Sequence, residues 1–138
     1  MKIDVNLIEG PFVMEAKNAE GISLVIDASP AIGGKGKGMR PMELLASSLA
    51  GCMAIDVLSI LRKQRQDVTH FEIEVDGTRK ETIPASFEEI TLVFSVNKEV
   101  DLGKLESAVK LTHEKYCSVS QSLHPSIRVN TKVKHQSK

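Results

Sequence analysis

Pro41-Met-Glu-Leu-Leu-Ala-Ser-Ser-Leu-Ala-Gly-Cys-Met-Ala-Ile-Asp-Val-Leu-Ser-Ile-Leu61 is apolar on nearly every face, opens on a proline and holds no breaker except Gly51. It is too long for a strand and reads as a helix buried on most sides. Pro41 suits the first helical position, and Glu43 puts a carboxylate in the first turn, against the positive end of the helix. Carried on to about Gln66, the helix is roughly 25 residues long, or about 37 Å at 1.5 Å per residue. Its length approaches that of a membrane span, but Asp56 lies inside it and Arg62, Lys63 and Arg65 follow at once, which argues against a membrane.

Outward from this helix the pattern alternates. Ile3, Val5 and Leu7 mark a first strand over residues 2–8, Phe12 to Met14 a second over 11–17, and Ile22–Ala28 a third, with Asn18-Ala-Glu-Gly21 as a turn. Ala31-Ile-Gly-Gly-Lys-Gly-Lys-Gly-Met-Arg40 reads as a flexible loop, because its glycines disfavour regular structure. After the helix, His70–Lys80 and Phe87–Asn97 are strands, and the apolar positions shift parity near Glu88-Glu89, the mark of a bulge. A second helix opens at Asp101 with Leu105, Ala108, Val109, Leu111 and Thr112 as its stripe and is closed by Tyr116 and Cys117. Ile127–Val133 is the last strand, and the polar tail from Lys134 to Lys138 is expected to fray. The order predicts an α+β fold with a largely antiparallel sheet, as one domain over residues 1–138. The central helix needs cover on a second side, and no spare strand supplies it. A second copy of the chain is therefore expected, as an obligate homodimer.

The 138 residues carry 18 Lys+Arg against 18 Asp+Glu, so no net charge pulls toward nucleic acid or an anionic membrane. Aromatics are 4% with no Trp, too few for a base-stacking platform. The charged, alternating N-terminus is not a signal peptide, and the expectation is a cytoplasmic protein whose two cysteines stay thiols.

Those cysteines, Cys52 and Cys117, are far apart in the chain and form neither a C-x-x-C motif nor a zinc ribbon. If their helices share a site, they suit a two-thiol cycle: one thiolate reduces a peroxide and becomes a sulfenic acid, and the other condenses with it. The plain alternative is two small core residues. A buried thiolate needs a cation. Arg40, at the mouth of the loop beside the helix start, is the candidate, oriented by Glu43, unless both are ordinary surface charges. His113, four residues before Cys117, would share its helix face. Asp56, four after Cys52, would oppose ionisation and reads as structural. The Gly-Lys loop lacks the spacing of a phosphate-binding loop, and His70, His113, His124 and His135 show no metal-ligand spacing, so neither cofactor nor metal is expected.

Through Arg40-Pro-Met-Glu-Leu-Leu-Ala-Ser-Ser-Leu-Ala-Gly-Cys52 and Glu114-Lys-Tyr-Cys-Ser-Val-Ser120, and in its order of elements, the chain resembles the superfamily of osmotically inducible protein C and the organic hydroperoxide resistance proteins (OsmC/Ohr). The resemblance implies an intertwined homodimer of curved sheets around two central helices, with active sites at the subunit interface. It implies a thiol peroxidase for organic hydroperoxides in oxidative-stress defence, with Cys52 in the peroxidatic position and Cys117 in the resolving one. A lipoyl-type or other small dithiol would be the reductant. Well-studied members begin the helix with Asn-Pro-Glu, whose glutamate holds an arginine from the N-terminal strands. Here Met42 occupies that position, Glu43 follows it, and no arginine precedes Arg40. The rival reading is a non-catalytic dimer that holds an apolar ligand in an interface pocket lined by the cysteines, with Met39, Met42 and Met53 on its flank.

Overall fold

The structure is a computed structural model and describes residues 1–137. Six strands, three α-helices and two tighter or wider turns follow one another as β1 (Ile3–Glu9), β2 (Val13–Asn18), β3 (Ser23–Ile26), a 3₁₀ turn (Pro30–Ile32), α1 (Pro41–Lys63), β4 (Phe71–Arg79), β5 (Phe87–Val96), α2 (Leu102–Leu111), a π-helical turn (Thr112–Tyr116), α3 (Ser118–Ser122) and β6 (Arg128–His135). The fold is α+β, as expected. The chain divides into two compact units, residues 1–45 and Ala46 onward.

In the first unit β1, β2 and β3 form an antiparallel sheet in that order. The Asn18 carboxamide oxygen accepts from the Glu20 and Ile22 amides and folds the β2–β3 turn. The Gly-rich segment is not the flexible loop its composition predicts. Asp27 is buried, and its carboxylate accepts the amides of Ala28, Lys35 and Lys37 at 2.7, 2.8 and 3.2 Å. The Lys35 and Lys37 ammonium groups both reach Glu9, at 2.8 and 2.6 Å. A Cβ on Gly34 would collide with the Ala28 carbonyl oxygen, and one on Gly38 would lie 2.5 Å from that of Val25. The glycines therefore permit close backbone packing around one carboxylate, rather than looseness. Because Asp27 already takes two of the loop amides, they are not free to cradle a phosphate.

The second unit is built on β4-β5-β6. β5 is central, and its Ile90, Leu92, Phe94 and Val96 are fully buried at alternate positions. β4 pairs with it antiparallel and opposes Thr78 to Glu89 but Arg79 to Phe87, so Glu88 is the extra residue of a bulge, where the parity shift placed it. Phe71 meets Phe94 edge to face at 6.1 Å. β6 runs parallel to β5 and extends to His135, whose Nε2 pairs with the Val100 carbonyl at 2.9 Å, while the Gln136 amide donates to Val96. The expected fraying of the tail is thus corrected up to Gln136; Lys138 lies outside the described residues. Asp101 caps α2 by accepting from the Lys104 amide, and Leu105, Ala108 and Val109 are its buried face.

α1 buries one ridge spaced by four residues, Leu49, Met53, Val57 and Leu61. Ile55 and Leu58 stay exposed within the single chain, so the helix is covered on one side rather than most. By length and composition alone it is apolar enough to cross a membrane.

Candidate functional site

The second unit brings the two cysteines together. Cys52 lies next to Met53 and one turn from Leu49, at the edge of the buried α1 ridge, and is half-buried. Cys117 is fully buried. The Cys52 side chain is close enough to act on Cys117 as a hydrogen-bond partner. Contrary to the expectation of a deeply buried Cys52, Cys117 is the more enclosed of the two thiols.

The position of Cys117 depends on how α2 ends. Were the α-helix to continue, His113 and Cys117 would stack one turn apart on one face. Instead the helix widens, and the Cys117 amide donates five residues back to the Thr112 carbonyl at 2.9 Å. Cys117 then turns extended, with φ −76° and ψ 103°, and becomes the N-cap of the short α3. Its Sγ accepts from the Ser120 amide at 3.3 Å. His113 does not meet the Cys117 thiol: its Nδ1 pairs with Ser120 Oγ at 3.1 Å. The Thr112 hydroxyl, also buried, has no hydrogen-bond partner among the described residues.

These surroundings pull on the Cys117 thiol in both directions. Burial pushes it up, and the side-chain hydrogen bond and charge of Cys52 add to that. The Ser120 and Val119 amides pull it down, and it ends at about 11 against an ordinary 9.0. A thiol so placed is protonated at neutral pH.

Arg40 and Glu43 belong to the first unit. Both are exposed, and the Arg40 backbone N–H donates to Glu43 Oε1 at 2.8 Å. This is half of a capping box at the start of α1, so Glu43 holds the backbone of Arg40. Among the described residues, the Arg40 guanidinium makes no ion pair. Asp56 is half-buried, on the turn of α1 that follows Cys52.

Sequence reasoning missed the π-helical turn, the pairing of His113 with Ser120, and Asp27.

Comparison with known proteins adds the following. The family model described as OsmC-like protein matches residues 34–132. Protein YhfA of Escherichia coli K12 is 35% identical over 130 residues, covering 94% of this chain and 93% of that protein. The crystal structure of a hypothetical protein from Aquifex aeolicus VF5 is similar with a TM-score of 0.81 and 33% identity, over 99% of this chain and 97% of that one. An organic hydroperoxide resistance protein OsmC from Legionella pneumophila shares the fold at a TM-score of 0.72 and 17% identity, over 97% of each chain.

Proposed function

This chain belongs to the OsmC-like protein family, and from that premise we propose that it is a homodimeric thiol peroxidase that reduces organic hydroperoxides in the cytoplasm. Family membership carries a redox or peroxide-stress role. The observation that supports the finer reading is the meeting of the chain's only two cysteines, from α1 and from the end of α2.

The Cys52 thiolate attacks the outer oxygen of the hydroperoxide. The O–O bond breaks, the alkoxide leaves and takes up a proton as the alcohol, and Cys52 is left as a sulfenic acid. Cys117, deprotonated as it attacks, displaces hydroxide from Cys52 Sγ, and a Cys52–Cys117 disulfide and water result. A small dithiol, lipoyl-type or similar, returns both sulfurs to thiols and is itself oxidised to a disulfide. The second copy of the chain covers the exposed Ile3, Val5 and Leu7 of β1 and the exposed Ile55 and Leu58 of α1, which are too many apolar side chains to leave in water.

The test is peroxide consumption coupled to dithiol oxidation. Cys52→Ser abolishes it. Cys117→Ser allows one turnover per site and leaves a sulfenic acid that a dimedone probe labels. Unchanged consumption by the Cys52→Ser protein would falsify the mechanism. The rival reading, a dimer that binds an apolar ligand between thiols of no chemical role, draws on the raised Cys117 thiol. It predicts saturable binding of a fluorescent fatty acid that survives in a protein lacking both cysteines.

A further inference from the structure

We propose that Ser120 and His113 are positioning residues for Cys117, holding an amide donor against its sulfur and so easing its departure as the thiolate when a dithiol attacks the more accessible Cys52. The inference rests on the two-thiol cycle proposed above and assigns two residues to its last step.

The geometry begins with the N-cap. That position is normally filled by Ser, Thr, Asp or Asn, because its side chain must accept a hydrogen bond from an amide of the first helical turn. Here a sulfur fills it and accepts from the Ser120 amide. A neutral thiol is a weak acceptor, whereas a thiolate is a strong one. The contact therefore gains most when Cys117 carries the charge. The Val119 amide acts in the same sense.

What keeps the Ser120 amide in place is the next link. The Ser120 hydroxyl pairs with His113 Nδ1, which the π-helical turn carries toward α3. α3 is only five residues long and is closed by few hydrogen bonds of its own, so a tie outside the helix adds to what fixes its first amides. Ser120 thus faces Cys117 with its backbone and His113 with its side chain. The titratable groups in this chain of contacts are Cys52 from α1, Cys117 itself and His113 from the π-helical turn.

The chemical consequence falls on reduction. A dithiol's thiolate attacks Cys52 Sγ, the Cys52–Cys117 bond breaks, and its electron pair stays on Cys117 Sγ. The mixed disulfide on Cys52 is then attacked by the second thiol of the reductant, which frees Cys52 as a thiolate and leaves the reductant oxidised. In thiol–disulfide exchange the sulfur that holds negative charge more readily leaves faster. The amide contact offsets part of the burial that opposes charge on Cys117, so it speeds a departure that would otherwise be slower still. The direction of attack follows from access, since Cys52 is the less buried of the two cysteines.

Two readouts test this. The first is ultraviolet titration of thiolate absorbance in Cys52→Ser protein, where Cys117 is the only thiol and no peroxide is involved. The second is the rate at which dithiothreitol reduces the preformed disulfide of protein that retains both cysteines. Ser120→Ala and His113→Ala are expected to move the Cys117 titration upward and to slow reduction by about three- to tenfold, the effect of one hydrogen bond. Ser120→Thr, which keeps the hydroxyl, and His113→Asn, which keeps a polar atom near the Nδ1 position, are expected to restore most of both. The proposal is overturned if the alanine variants titrate like their parent, or if the conservative variants fail to restore what alanine removes. Should Ser120→Ala fail to fold, the His113 pair decides alone. A shifted titration without peroxide turnover in the parent would keep the positioning role and discard the peroxidase reading. The reverse result would do the opposite.

Discussion

In β5, Ile90, Leu92, Phe94 and Val96 have no exposed surface, whereas in β1 the corresponding alternation of Ile3, Val5 and Leu7 leaves each side chain more than half exposed. Both stretches obey the same period of two, and both lie in three-stranded sheets. In the unit from Ala46 onward, alternate residues of β5 and the α1 ridge of Leu49, Met53, Val57 and Leu61 are fully buried, while Ile55 and Leu58 stay exposed. In the unit of residues 1–45, Val13 and Asp27 are the buried residues among those described, and what orders its Gly-rich segment is a carboxylate rather than a hydrocarbon cluster. Hydrophobic patterning thus specifies a strand equally well in both places, but it specifies a self-sufficient core in only one.

The comparison breaks most easily at Phe94. Phe94→Ala is expected to cost about 3–5 kcal/mol, because it removes a buried ring and its contact with Phe71. Val5→Ala in β1 should stay within about 0.5 kcal/mol once protein is dilute enough to be monomeric, and should cost more as concentration rises. Denaturant unfolding over a range of protein concentrations measures both. An equal, concentration-independent loss at the two positions would remove the distinction between the units.

Next in size is Gly34→Ala, expected to cost on the order of 2 kcal/mol, since the new methyl group meets the Ala28 backbone and must push the two backbone stretches apart. A Tm equal to that of the parent would show that the segment is as free as its composition reads. A smaller effect concerns Cys117. The unfolded thiol ionises near 9.0 and the folded one near about 11, so above pH 9 the unfolded chain sheds its proton first. Stability therefore falls as pH rises between those values, and levels off above. In Cys117→Ser protein that component of the alkaline slope is absent, which denaturation midpoints through this range record.

The smallest expected change is at Glu9. The hydrogen bonds from Lys35 and Lys37 lower its pKa, but the group is exposed to solvent and its ion pairs are screened. Glu9→Gln should barely shift Tm at physiological salt, whereas Asp27→Asn should lower it by several degrees. For Asp27, burial pushes the pKa up, and the Lys37, Lys35 and Ala28 amides more than offset it, so the pKa lies below the ordinary value. Its contribution is present above the unfolded pKa and is lost as pH falls through the folded one. Thermal melts in mild acid test the order of the two variants.

Much of this molecule was legible in its sequence. The start of α1, the strands and the bulge at Glu88 follow from periodicity and from Pro41, whereas α1 ends at Lys63 rather than near Gln66. That Cys52 and Cys117 come together was left open by the residues themselves and was implied by the family resemblance. What escaped has no periodic signature. A π-helical turn adds width without altering composition, so His113 reads as a neighbour of Cys117 until the backbone is seen. Asp27 reads as a residue at a strand end, yet it organises amides up to ten positions later. The parallel placement of β6 was in principle readable, because a strand, helix and strand in succession favour a crossover connection.

One side chain away from the thiols has a consequence for motion. Asn97 is buried, and its carboxamide accepts the Thr69 and His70 amides while donating to the Asp67 carbonyl. The connection from α1 to β4 has no regular structure, yet two of its amides are held by a residue from the end of the central strand. Hydrogen–deuterium exchange at Thr69 and His70 should accordingly be as slow as in β5, and should open with it rather than with the neighbouring turn.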